Sequence, residues 1–262
     1  MADRLKPENA EIVERIRRFE DKMFRTHDFK LYRNYHVPEQ LIKNSKTVLS
    51  FGVGGDAHFE KLICHDNPEL DVRMFDPTPW TVANIGGILS KGGHKLFRTL
   101  DDGNKISKRI VQKNLKFKPY AYAPNNGKMK FYYKEEEDAE KADQVLGCFS
   151  LVDAFDQSSN FVEVDCKNID TILQELGWSG VDILKTDVEG LWYDVGKEIK
   201  NLDVKYWVTE IEMNVGTTYD EAFDKVSELV ALHEDKYNVY RNRVRLKPMM
   251  ELIFYRKDID ES

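Results

Sequence analysis

The chain has 262 residues, a formal net charge of -7, and 41% hydrophobic against 32% charged residues. This is ordinary globular composition with enough length for a sizeable core, so collagen-like, low-complexity and wholly disordered chains are excluded. No strictly apolar run exceeds about four residues, against the roughly 20 that a membrane helix needs, and the acidic balance disfavours a general phosphate binder, so neither a membrane nor a nucleic-acid partner is expected.

The first 18 residues are charged where a signal peptide is apolar. Three widely spaced cysteines, Cys64, Cys148 and Cys166, form no CxxC, which argues against a disulfide framework or a thiolate zinc site. Both features fit a reducing cytosol and a cytoplasmic protein.

Residues 8–24 place Ile12, Ile16, Phe19 and Met23 at three- and four-residue steps, the period of an amphipathic helix. Residues 26–45 read as a connector with a short helix, in which Tyr32, Tyr35 and His36 are either ordinary packing or cover for a pocket. Residues 1–45 are therefore expected to be an N-terminal helical extension, and residues 46–262 one α/β domain.

From residue 46 the pattern is strand, turn, helix, strand. Lys46 to Phe51 is β-rich and ends in Gly52-Val53-Gly54-Gly55. Ala57 to His65 is helical. Asp71 to Phe75 is a second strand ending in Asp76-Pro77-Thr78-Pro79. This is the opening βαβ unit of a Rossmann-like sheet. Helices are expected at 80–90 and 104–114, a third strand at Lys116 to Ala123, and a hairpin turning at Asn125-Asn126-Gly127 into Lys128 to Tyr133. Residues 135–160 read as loop. Further on come a helix from Asn168 to Leu176, a strand from Val181 to Thr186 with exit turn Asp187-Val188-Glu189-Gly190, a helix from Leu191 to Ile199, a strand from Val204 to Ile211, a helix from Thr218 to Glu234, and terminal strands near Val239 and at Glu251 to Tyr255.

A strand turning sharply into a helix needs positive φ or close backbone approach, which Gly52, Gly54 and Gly55 supply. The following helix offers free N–H groups to a ligand. Asp76, at the end of the second strand, is placed to accept ribose hydroxyls. The competing account is a tight structural turn followed by a surface Asp. Gly52-x-Gly54-x-x-Ala57 also satisfies the dinucleotide pattern, so this unit by itself leaves NAD and S-adenosylmethionine both open.

Ligands in such sheets sit beyond the carboxyl ends of the strands, which is where the strand pattern puts Asp187. Asp187 and Glu189, two residues apart, would converge on one acceptor or on one oxygen-ligated cation such as Mg²⁺. Their structural alternatives are a helix N-cap for Asp187 and a macrodipole partner for Glu189. Glu210, Glu212, His58, Lys185 and Trp80 are secondary candidates, each with a bland structural alternative. Residues 91–118 carry nine Lys or Arg against Asp101 and Asp102, followed by the acidic run 135–138. They read as solvated faces or as a basic rim for an anionic substrate.

The stretch Phe75 to Pro79 together with Val181 to Gly190 resembles the FkbM family of S-adenosylmethionine-dependent methyltransferases. Ser50 to Asp56 with Phe59-Glu60 resembles the branch containing the methyltransferase-like proteins, and Val162 to Leu173 is similar to the family's lead-in. The resemblance spans roughly residues 47–255. Many members carry Asp where this chain has Ser50. The resemblance implies a class I methyltransferase fold, with a seven-stranded mostly parallel sheet and flanking helices. It also implies methyl transfer to a hydroxyl of a sugar, glycan or other small molecule. Phe51, Gly52, Gly54, Gly55, Asp76 and Pro77 would then hold the cofactor, and Asp187 and Glu189 would stand at the reacting methyl. The rival expectations are an NAD-dependent oxidoreductase and a non-catalytic nucleoside-binding relative of the fold.

Overall fold

The computed structural model describes residues 10–18, 29–93, 95, 97–100, 102–133, 149–151, 160–213, 215–243 and 249–260. In chain order the strands are β1 (Phe29–Tyr32), β2 (Tyr35–Pro38), β3 (Thr47–Phe51), β4 (Asp71–Phe75), β5 (Leu115–Lys118), β6 (Tyr120–Tyr122), β7 (Gly127–Tyr133), β8 (Phe149–Ser150), β9 (Phe161–Lys167), β10 (Val181–Thr186), β11 (Val204–Glu212), β12 (Tyr237–Arg243) and β13 (Met249–Arg256).

Seven of them form the main sheet in the order β12-β13-β11-β10-β3-β4-β5. Strands β11, β10, β3, β4 and β5 pair in parallel, and β13 runs antiparallel to both its neighbours. The expected seven-stranded, mostly parallel Rossmann-like sheet is therefore present.

The sheet buries both faces because its strands alternate apolar side chains to either side. Leu49, Leu184 and Trp207 point into one core with Trp192, Val195 and Phe223 from the helices Trp192–Ile199 and Tyr219–His233. Their neighbours Val48, Ile183 and Tyr206 point into the other, against Ile63 of the helix His58–Asp66. β10, paired on both sides, is buried at all six positions.

Helix ends follow their sequence signals. Asn168 accepts from Thr171 N–H (2.9 Å) and Gly177 closes that helix at φ 67°. Thr218 and Glu221 form a capping box. The segment 80–90 is not one regular helix: Pro79–Thr81 and Gly87–Ser90 flank a π-turn at Val82–Gly86. The helix expected at 104–114 begins only at Lys108, where the Ser107 hydroxyl caps it.

Two further stretches depart from the sequence pattern. Lys116 to Ala123 is two strands: β5 joins the main sheet and β6 a second, four-stranded sheet of order β6-β9-β7-β8. Pro119 lies between them and has no N–H to continue a ladder. β7 does not pair with β6, as a hairpin at Asn125-Asn126-Gly127 would require. Instead β9 lies between them, parallel to β6 and antiparallel to β7. The Asn126 side chain bonds Asn168 N–H (3.0 Å) and Thr171 Oγ1 (2.8 Å), tying this turn to the next helix.

The amphipathic N-terminal segment forms the helix Ala10–Arg18, burying Val13 and Ile16. Phe19, Met23, the acidic run 135–138 and Cys148 lie outside the described residues. Residues 29–44 form the hairpin β1-β2 and the helix Glu39–Asn44. Their Tyr32, Tyr35, Val37, Leu41 and Ile42 belong to the same apolar cluster as Val48, Ile183 and Tyr206. Among the described residues, no helix is long and apolar enough to cross a membrane.

Candidate active site

The carboxyl ends of β3, β4 and β10 open onto one cleft. Phe51, Gly52, Gly54, Asp76, Pro77, Asp187 and Glu189 line it. Of the eight sequence candidates, Gly55 alone lies outside this lining. A Cβ there would fall 1.5 Å from the Trp80 ring, so a side chain at 55 would have to displace the exposed indole.

Gly52 has φ +68°, and a Cβ on it would lie 1.9 Å from the Asp187 carbonyl oxygen. The exits of β3 and β10 cross too closely for any side chain, and Asp187 N–H bonds the Phe51 carbonyl at 3.1 Å. Gly54 also has positive φ, +66°, but its Cβ position meets nothing within 4 Å. One glycine serves the crossing; the other leaves the cleft floor bare.

Asp76 closes the turn. Its Oδ2 accepts from Gly54 N–H (3.0 Å), and its Oδ1 from the N–H (2.9 Å) and hydroxyl (2.7 Å) of Thr78. It is buried, not a surface acid. Burial raises its carboxyl above the ordinary value, against the lowering effect of those three donors. A carboxylate oxygen accepts about two hydrogen bonds, so Oδ2 keeps one acceptor site.

Asp187 is held from the other side of the molecule. The Tyr35 hydroxyl donates to its Oδ2 at 2.9 Å, and Lys185 Nζ stands 4.0 Å from the same oxygen. Burial first, then the charges of Asp187 and Glu210, push the Tyr35 phenol well above its usual value, so it remains a donor. Asp187 does not cap the next helix, which starts at Trp192 with Leu191 at its N-cap.

Lys185 is 2% exposed and is not snorkelling to solvent. It donates to the carbonyls of Phe51 and Gly52 and lies over the Tyr35 ring at 4.8 Å. Below it the Ser50 hydroxyl donates to Glu60. Burial raises Glu60, opposed by Lys185 and Ser50.

Glu189 takes φ +34°, a left-handed conformation unusual for a side-chain-bearing residue, and its carbonyl accepts from the Ser150 hydroxyl at 2.7 Å. Such strain recurs at functional sites. Glu212, at the end of β11, is 3% exposed. Its Oε2 accepts from Gly190 N–H at 3.3 Å, and its Oε1 has no hydrogen-bond partner among the described residues. Burial, then Glu189 and Asp187, hold its carboxyl well above the usual range. Carboxylate oxygens of Asp187, Glu189 and Glu212 lie within 4.8 Å of one another.

The remaining lining includes Phe75, Ala121, Tyr122, Phe131, Val188 and Leu191. Phe51 stacks on Phe75 (centroids 4.9 Å) and meets Tyr122 edge-on, giving an apolar wall. The wall from the second sheet carries no motif that a sequence could show. His58 is buried beside Asp56, and His58, Glu210 and the exposed Trp80 all lie outside the lining. None of the nine basic residues of 91–118 lines the cleft; Lys113 and Lys116 instead pair with Glu69 and Asp71.

A family model described as the methyltransferase FkbM domain matches residues 13–239. No curated protein matches the chain. Among solved structures, the fibrillarin pre-rRNA processing protein of Methanococcus jannaschii is 10% identical, with 87% of this chain and 70% of that one covered at a TM-score of 0.45. A precorrin-6y C5,15-methyltransferase from Geobacter metallireducens GS-15 is 10% identical, with 84% and 85% covered at 0.42. An O-methyltransferase family protein from Burkholderia thailandensis is 10% identical, with 82% and 52% covered at 0.39. The substrates in those descriptions are those proteins' own.

Proposed function

The chain belongs to the FkbM methyltransferase family, and from that premise we propose that it methylates a hydroxyl oxygen of a sugar, glycan or other small molecule, with S-adenosylmethionine as donor. The observation that carries the reading is the Asp187 carboxylate, fixed by Tyr35 at the point where the glycine turn meets the acidic end of the cleft. The nicotinamide alternative left open by the glycine pattern falls with the family.

The residues present fit the donor. The bare position above Gly54 leaves room for a ligand against the backbone. The remaining acceptor site on Asp76 suits a ribose hydroxyl, and Phe51, Phe75 and Tyr122 give an apolar wall for a flat base. When bound, the donor supplies an electrophilic methyl on a sulfonium. The protein's part is to orient the acceptor and take its proton. Asp187 is assigned that role: as the oxygen–carbon bond forms and the carbon–sulfur bond breaks, the hydroxyl proton passes to its carboxylate. The Tyr35 hydrogen bond fixes which oxygen of Asp187 faces Tyr35 and which the acceptor.

The buried thiols Cys64 and Cys166 support a reducing, cytoplasmic setting. A requirement for Mg²⁺ does not follow from the family; it turns on the carboxylates at 187, 189 and 212.

The test is a radiolabelled methyl-transfer screen over sugars, glycans and polyhydroxylated small molecules, beside calorimetry with S-adenosylhomocysteine. Asp187→Ala is expected to abolish transfer and keep S-adenosylhomocysteine binding, while Asp76→Ala weakens that binding. Unchanged turnover in Asp187→Ala removes the residue from the mechanism. Binding of NAD without S-adenosylhomocysteine overturns the whole reading.

A further inference from the structure

We propose that Asp187, Glu189 and Glu212 form a site for one hard divalent cation at the acceptor end of the cleft. The three side chains come from two strand ends and a strained turn, yet their carboxylate oxygens gather within 4.8 Å of one another. Oxygens about 2.0–2.6 Å from a common ion lie at most about 4–5 Å apart, which is the spacing seen. All three donors are carboxylates, the ligands preferred by Mg²⁺, Mn²⁺ and Ca²⁺ over softer metals.

The second observation is Glu212 itself. Glu212 is 3% exposed, and among the described residues one oxygen meets Gly190 N–H while the other has no hydrogen-bond donor. A buried carboxylate oxygen without a partner is costly. Lys185, the cation beside Asp187, does not answer it. Lys185 is 4.0 Å from Asp187 and is already bonded to the carbonyls of Phe51 and Gly52. Tyr35 brings a neutral hydroxyl to Asp187 Oδ2 and so fixes that carboxylate's orientation. The left-handed backbone at Glu189 holds its side chain at this corner, and the Ser150 hydroxyl anchors its carbonyl.

The role of the cation rests on the methyl-transfer reading: a divalent ion here would ligate the acceptor's oxygen and lower its proton affinity. Its existence does not rest on that reading, so the two are tested apart. Metal-stripped protein is titrated with Mn²⁺, followed by electron paramagnetic resonance and by thermal melting, and Mg²⁺ is used as competitor. The expected result is one Mn²⁺ per chain, displaced by Mg²⁺, with affinity falling roughly tenfold or more in Glu212→Gln and in Glu189→Gln. The exposed Glu175→Gln should bind as the parent does.

Glu212→Gln is nearly isosteric and brings an amide donor among the carboxyls, so the metal-free variant should melt no lower than the metal-free parent, and loss of binding is separable from loss of fold. Absence of saturable Mn²⁺ binding, or equal affinity in parent and both variants, overturns the site. S-adenosylhomocysteine calorimetry on the same stripped protein separates the two readings. Nucleoside binding without Mn²⁺ binding rejects the cation alone, and Mn²⁺ binding without nucleoside binding rejects the methyl-transfer reading alone.

Discussion

The two glycines that frame the cleft should fail in different ways when each is replaced by alanine. Both sit at positive φ, which costs an L residue about 1–2 kcal/mol. Gly54→Ala meets no atom within 4 Å, so this penalty stands almost alone. Stiffening of the unfolded chain offsets about 0.4–1 kcal/mol of it. The net loss is about 1 kcal/mol, or roughly 2–4 °C in Tm for a chain of this size.

Gly52→Ala places a methyl 1.9 Å from the Asp187 carbonyl oxygen, where ordinary contact begins at 3.4 Å. The exits of β3 and β10 must part by about 1.5 Å, the difference of those two distances. Overpacking adds about 1–3 kcal/mol, for a net loss of about 1–5 kcal/mol after the same unfolded-chain offset. Urea unfolding measures both losses, and calorimetry with S-adenosylhomocysteine measures binding. Gly54→Ala should be nearly as stable as the parent yet bind at least tenfold more weakly, about 1.4 kcal/mol, because its methyl projects into the cleft. Gly52→Ala should lose stability first. Equal stability losses in the two variants, or undiminished binding by Gly54→Ala, would refute the assignment of Gly52 to the strand crossing and Gly54 to the ligand.

Tyr35→Phe removes one hydrogen bond to a carboxylate, worth about 1.5–3 kcal/mol, and should lower kcat while S-adenosylhomocysteine affinity holds; an unchanged kcat would make the contact purely structural. Lys185→Met strips the donor from the Phe51 and Gly52 carbonyls and the nearest cation from buried Glu60. A loss near 3 kcal/mol is expected in urea unfolding, partly recovered by adding Glu60→Gln; no recovery would mean that Glu60 and Lys185 are uncoupled. Partial burial works to raise Asp182, but Lys205 and the N–H groups of Lys46 and Thr47 outweigh it, so its folded carboxyl is held below the ordinary aspartate range. The stability it confers is therefore present above about pH 4 and is lost as pH falls through the depressed folded value. Asp182→Asn should flatten that limb of an acid-unfolding curve, and an unaltered limb would exclude the residue as its source.

The sequence by itself determined the sheet and which side chains stand at its strand ends. β4 and β10 match their patterns to the residue because parallel strands buried on both faces are short apolar runs closed by turn residues. Gly52, Gly54, Asp76, Asp187 and Glu189 were legible for a related reason: each follows directly on such a strand, and strand ends are where this architecture places ligands. Pairing between distant segments is what the tertiary structure decided. The insertion of β9 between β6 and β7, and so the apolar wall with Phe131 and Tyr122, depends on partners about 29–45 residues apart along the chain, which local periodicity cannot specify. Tyr35 reaches Asp187 across 152 residues, from a hairpin that reads as a connector. Glu210 and Glu212 look alike in the strand pattern, and both are buried. Only the placement of β11 beside β10 brings Glu212, and not Glu210, against Gly190, Asp187 and Glu189, because the neighbours of a strand end are set by sheet order and not by its own residues.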